Sequence, residues 1–212
     1  MPMRVLSLSI AERCALVVAA IALLLMAVGA GDALEYRRAL LGDQPWRLIT
    51  GHIVHISWPH ALINALALLI VARLFAPDLS AGRQLTVLGV AALVISLALA
   101  NAYTGIAWYR GLSGVVHALF FAGATAWLVR SEPRSLRTLW LPVTLVAGGW
   151  IKVALEQPAG TTLPHADWLG AAVVPQAHLV GAACGSVLGL AYALADRRRD
   201  KQRRKQQQLQ PR

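Results

Sequence analysis

Two short strings carry side chains that could do covalent chemistry: Gly111-Leu112-Ser113-Gly114, and Ala177-His178-Leu179-Val180-Gly181. A serine hydroxyl is a poor nucleophile at neutral pH unless a base within hydrogen-bond reach takes its proton, and imidazole serves well as that base. Ser113 and His178 together could therefore run acyl transfer. The glycines around Ser113 allow a tight turn and close approach by other groups. Taken alone, G-x-S-G is a weak signal, because serine is common in apolar helices as a packing residue. The second string adds weight. Gly181, Gly185 and Gly189 recur every four residues after His178, a stripe of small residues against which another helix can pack closely. His178 lies about one turn before Gly181 and shares its face, so it points at whichever helix uses that groove. Gly114 and Ala118 make the segment after Ser113 a fitting partner.

Other polar residues gather near these two. His60 and Asn64 are four apart and share a helix face. Both can donate hydrogen bonds to a developing oxyanion, or they could simply pair with each other between helices. His117, four residues after Ser113, has three open roles: orienting His178, packing, or acting as the base itself. Lys152 and Glu156 are spaced to pair on one helix, and Glu156 with Gln157 could instead help to recognise a substrate. Asp167 stands eleven residues before His178 in a Pro-bearing loop and reads as solvated. His52, His55 and His60 are close enough in sequence to suggest zinc. They lack an H-E-x-x-H arrangement and an acid spaced as a fourth ligand, so neither metal nor other cofactor is expected. Trp46-Arg47 reads as an anchor at a membrane interface. Cys14 and Cys184 read as packing residues.

The elements that must position these groups follow from composition. The chain has 212 residues, 57% hydrophobic and 14% charged. Its apolar residues fall in six blocks, about 14–31, 59–76, 84–102, 113–130, 137–155 and 175–195, each long enough to cross a ~30 Å hydrocarbon layer as a helix. Helices are the expected form, since backbone groups cannot stay unpaired in lipid. The fold class is therefore all-α: a polytopic membrane bundle of six spans. It divides into an N-terminal segment 1–13, a six-span domain 14–195 and a basic tail 196–212. The net charge of +10 could suggest nucleic acid, but its distribution points to a membrane. Fifteen of the twenty Lys/Arg, Arg197–Arg199 and the rest of the tail among them, fall on one side of the predicted topology. That bias places both termini in the cytoplasm and the tail against anionic lipid headgroups. With this topology His60, Ser113 and His178 all sit at the outer, N-terminal ends of their spans. There the free N–H groups and the positive dipole end suit an oxyanion.

In order, Trp46-Arg47, His55, His60-x-x-x-Asn64, Gly111-x-Ser113-Gly114 and His178-x-x-Gly181-x-x-x-Gly185 resemble the signature of the rhomboid proteases over about residues 45–190. The resemblance implies a serine–histidine dyad, Ser113 and His178, with no third acidic member, in a water-filled cavity opening outward. It implies an oxyanion hole from His60, Asn64 and the Ser113 N–H. The strings Tyr109–His117 and Lys152–Gln157 are similar to those of rhombosortases. That subfamily implies single-span membrane substrates with C-terminal tails of small residues, a span and a basic end, and an inner-membrane location with the site open to the periplasm. His117 departs from the family pattern, where tyrosine often packs on the catalytic histidine. Two rival classes remain: a proteolytically inactive rhomboid-like protein that binds membrane partners, and a transporter, for which no internal repeat is visible.

Overall fold

The computed structural model describes residues 8–131, 136–157 and 173–209, excluding the side chains of 136–138 and 209. Arg4, Arg134, Asp167 and Arg212 lie outside the described residues, as does the Arg137 side chain.

Among the described residues there are six long helices: α1 (Ile10–Ala27), α4 (Trp58–Leu74), α5 (Ala81–Asn101), α6 (Ser113–Arg130), α7 (Leu136–Glu156) and α8 (Pro175–Leu209). Between α1 and α4 runs a structured loop with two one-turn helices, α2 (Gly31–Leu34) and α3 (Arg47–Thr50), and a strand β1 (Tyr36–Arg37). A second short strand, β2 (Trp108–Tyr109), precedes α6. Five of the long helices have the length and hydropathy to cross a membrane. The remaining one, α4, has 17 residues, or about 26 Å at 1.5 Å per residue. Its start is fixed where the Ser57 hydroxyl accepts the His60 N–H at 3.3 Å, with Pro59 in the first turn.

The expected blocks and the observed helices agree within a few residues at most ends. The first helix begins four residues earlier than expected, because Ser9 and Glu12 form a capping box. Glu12 also pairs with Arg73 at the end of α4, which fastens the two helices at that edge. The last helix runs 14 residues beyond its apolar block, so the basic tail continues α8 as a helix through Leu209.

The packing pattern is the reverse of a soluble protein's. Large apolar side chains such as Val17, Leu24, Leu66, Ile151 and Leu155 are exposed, while the interior is rich in alanine and glycine. With lipid outside there is no hydrophobic gain in hiding leucines, and close backbone approach takes over as the packing force. Among the spans α6 is the most enclosed. It meets α8 most extensively, with smaller contacts to α5, α7 and α4. A Cβ added at Gly181, Gly185 or Gly189 of α8 would collide with the carbonyl oxygens of Gly114, Ala118 and Ala122 of α6, respectively. This is the pairing that the four-residue stripe predicts. At the end of the bundle away from His178, Arg83 bonds Asp196 at 2.6 and 2.7 Å, and Arg130 reaches both Asp196 and Asp78. Those pairs join α5, α6 and α8. Cys14 and Cys184 are both free.

Candidate active site

Ser113 is the first residue of α6, and the turn before it is built for tightness. Gly111 has φ +134°, a conformation that side chains disfavour. A Cβ there would also lie 2.8 Å from His60 Cε1 and 3.0 Å from His60 Nε2. Glycine is thus required twice, once by the backbone and once by the neighbour. Three bonds hold the turn in place. The Gly111 N–H donates to the Gly51 carbonyl (3.0 Å), the Tyr109 hydroxyl donates to the Gly111 carbonyl (2.7 Å), and the Leu112 N–H donates to His55 Nε2 (3.4 Å).

The loop before α4 supplies this support, and most of that role was invisible in the sequence. β1 pairs antiparallel with β2, Tyr36 opposite Tyr109. Glu35, almost fully buried, accepts from Arg110 Nε at 2.7 Å and from Arg37. Arg47 corrects its reading as an interfacial anchor. It is 5% exposed and donates to the carbonyls of Glu35 (2.7 Å) and Asp32 (3.2 Å) and to Gln44 (2.6 Å). A guanidinium with several donors can satisfy loop carbonyls that no helix or sheet would pair. Trp46 is half exposed, as an interfacial aromatic would be.

The histidines of this loop are structural ties. His52 Nε2 lies 3.0 Å from Ser96 Oγ on α5. His55 packs edge-on against His60, with centroids 5.0 Å apart. Burial pushes His52 down to about 4 and His55 down to about 3. Both are therefore neutral at neutral pH, as an imidazole that accepts from a backbone N–H must be.

Ser113 and His178 meet. The Ser113 hydroxyl donates to His178 Nε2 at 2.9 Å, and His178 is 5% exposed in the first turn of α8. The expectation of no acidic partner does not hold. His178 Nδ1 lies 2.9 Å from Glu156 Oε2 at the end of α7, and Glu156 is itself buried. Glu156 therefore faces the histidine. Lys152 pairs with Glu156 Oε1 at 2.8 Å, as their spacing suggests. Gln157 donates to the carbonyls of Val153 and Pro175, both at 3.1 Å, which ties the end of α7 to the start of α8.

His117 lies against His178. Its ring stacks on His178, with centroids 4.1 Å apart and planes at 14°. Its Nδ1 bonds the Ser113 carbonyl at 2.7 Å and its Nε2 contacts Lys152 Nζ at 2.7 Å. Both nitrogens are engaged away from the serine hydroxyl, and the His117 ring braces that of His178. His117, Glu156 and His178 offer ligand atoms within 4.8 Å of one another, a grouping that could suggest a metal. A metal ion lies in the plane of each imidazole that binds it, and two nearly parallel stacked rings share no such point. The lysine cation also occupies the His117 lone pair.

His60 and Asn64 lie on the other side of Gly111. The Asn64 Nδ2 is 3.7 Å from the position a Gly111 Cβ would take, and it is buried without a hydrogen-bond partner among the described residues. The His60 Nδ1 is likewise unpaired. An orphaned amide donor beside a serine turn is costly unless something arrives to accept from it. Gly114 and Gly181 complete the arrangement from below by allowing α6 and α8 to touch. A cavity of about 100 Å³ opens between the end of α1 and the loop, lined by Leu25, Met26, Val54, His55 and Arg110.

A search among curated proteins returns no match. Residues 42–195, more than two thirds of the chain, match the Rhomboid domain family. That span runs from the loop holding Arg47 and His55 to the last apolar turn of α8, and the chain therefore belongs to the rhomboid family of intramembrane serine proteases.

Proposed function

We propose that this protein is an intramembrane serine endopeptidase in which Ser113 is the nucleophile and His178 its base. The observation that carries the reading is the 2.9 Å bond from the Ser113 hydroxyl to His178 Nε2, made where two apolar helices begin. A serine at a helix start that served only as a cap would accept from backbone N–H groups of its own first turn; this hydroxyl is directed at a buried imidazole from another helix.

The steps follow from the donors and acceptors present. Ser113 Oγ attacks the scissile carbonyl carbon while its proton passes to His178 Nε2. The carbonyl oxygen becomes an oxyanion, for which Asn64 Nδ2, His60 and the Ser113 N–H supply hydrogen bonds. The C–N bond breaks as His178 returns the proton to the leaving amine. A water molecule then repeats the sequence on the acyl-enzyme and releases the carboxylate product and the free serine. No cofactor takes part.

The substrates we infer are single-span membrane proteins cleaved near a C-terminal sorting tail of the Gly-Gly, span and basic-end type. The site would open to the periplasm, with both termini cytoplasmic in an inner membrane. The rhombosortase-like strings around His117 and Glu156 and the charge bias of the loops support this reading. Small residues suit it physically, because they loosen a helix into the extended form that a protease needs.

A fluorophosphonate probe tests the chemistry: labelling should vanish in Ser113→Ala and fall sharply in His178→Ala. Labelling that persists in Ser113→Ala overturns the reading. A tethered reporter carrying a Gly-Gly, span and Arg tail tests the substrate class. Release that continues in cells lacking the protein would remove the tail assignment.

A further inference from the structure

The polar residues at the top of α6, α7 and α8 form a closed circuit. From Ser113 Oγ it passes to His178, Glu156, Lys152 and His117, and returns to the Ser113 carbonyl. The successive contacts are 2.9, 2.9, 2.8, 2.7 and 2.7 Å. Each link constrains the next. The Ser113 carbonyl can only accept, so His117 Nδ1 must carry a proton. The bare His117 Nε2 then accepts from the Lys152 ammonium. Lys152 donates again to Glu156 Oε1, which balances the carboxylate's charge. Glu156 Oε2 accepts from His178 Nδ1–H, and that leaves His178 Nε2 bare to receive the serine proton. The opposite direction fails at once, because a carbonyl cannot donate and an ammonium cannot accept.

We propose that Glu156 is the positioning residue for His178, holding it in the Nδ1–H tautomer, and that Lys152 and His117 lock Glu156 and the imidazole plane from behind. The inference rests on the protease reading and departs from the dyad its family resemblance implies. When His178 takes the proton from Ser113, the imidazolium that forms faces a carboxylate 2.9 Å away in a buried site, where charge pairing is strong.

Two blander accounts fit the geometry less well. A surface ion pair between Lys152 and Glu156 would leave the carboxylate in solvent, whereas Glu156 is 9% exposed. A packing role for His117 would not require both its nitrogens to be matched.

The test compares Glu156→Gln and Lys152→Met with the native chain in detergent or proteoliposomes, using a cleavable membrane-tethered reporter. Glu156→Gln keeps the shape but offers an amide that can donate to Nδ1 and invert the tautomer. It should lower kcat by about 10²–10⁴-fold, the range of a positioned acid–base group, with KM changed by less than about threefold. Histidine ¹⁵N NMR should show His178 as the Nδ1–H tautomer in the native chain and a mixed or inverted tautomer in the variant. Lys152→Met leaves the Glu156–His178 bond in place and should cost about tenfold in kcat, the smaller effect expected of a group acting at one remove. A Glu156→Gln protein with native kcat, or one whose loss follows KM and melting temperature with the tautomer unchanged, overturns the proposal. If Ser113→Ala still cleaves, the protease reading itself fails. If Ser113→Ala is dead and Glu156→Gln is fully active, only the circuit fails.

Discussion

Two seams run along α6, and they are built from opposite materials. Toward α8 the contact is backbone on backbone, with glycines 181, 185 and 189 set against the carbonyls of residues 114, 118 and 122. Toward α7 the upper contact is a set of charged and imidazole side chains, and the shared apolar packing below it is a small cluster around Phe121, Val153 and Ala182. The glycine seam has little conformational choice, because helices that touch through backbone can slide only by opening a void. The polar seam depends on tautomer and charge, and it holds at one end only. The first seam fixes where His178 is. The second fixes which way it faces.

Substitutions should separate the two, and the largest effect belongs to the serine at their junction. Ser113→Ala should abolish turnover in the reporter assay while leaving the fold intact, since the small side chain packs as alanine can. Gly185→Leu should come next. Its side chain must displace the Ala118 backbone, and overpacking of this kind costs about 1–3 kcal/mol or more. Melting temperature and activity should fall together. If Gly185→Leu lowered activity without affecting melting, the structural character given to that seam would be wrong. Asn64→Ala should cost about 100–1000-fold in kcat as an oxyanion donor with little change in stability, because its Nδ2 has no partner to lose. Arg110→Ala should have a smaller effect, about 1–3 kcal/mol in stability, from leaving buried Glu35 without one of its cations. A chemical-denaturation series would measure it.

Acid should probe the loop and leave the glycine seam alone, since Gly181–Gly189 carry no strongly titrating side chain apart from Cys184. His52 and His55 are held neutral in the fold, down to about 4 and about 3 against an ordinary 6.5. Below 6.5 the unfolded chain binds more protons than the folded one, so stability should fall as pH drops from about 6.5 toward 4. His52→Asn should flatten that slope when melting is followed against pH. An unchanged slope in that variant would mean that acid acts elsewhere.

The sequence reading and the structure agree where the signal is one-dimensional. Apolar blocks match helices because the hydrocarbon thickness sets a length that a chain reveals by simple run of residues. The glycine stripe and His178 one turn before it are properties of a single helix, so the α6–α8 pairing and the Ser113–His178 meeting were legible. Arg47 was not. Beside Trp46 it looks like any interfacial arginine, and only the path of the loop shows that it turns inward to loop carbonyls. Glu35 and Arg110 lie 75 residues apart, and nothing local marks them as partners.

Residue order alone determined the membrane class, the helix count within one short span, and the four side chains, Ser113, His178, His60 and Asn64, that gather at the helix starts. Each depends on spacing along one helix. Tertiary structure decided the environment of Glu156. At the end of α7 the same carboxylate could face water, a substrate or a neighbouring imidazole, and the choice lies in the rotation of α7 against α6 and α8. That rotation depends on contacts among residues from 113 to 178, which no local pattern encodes.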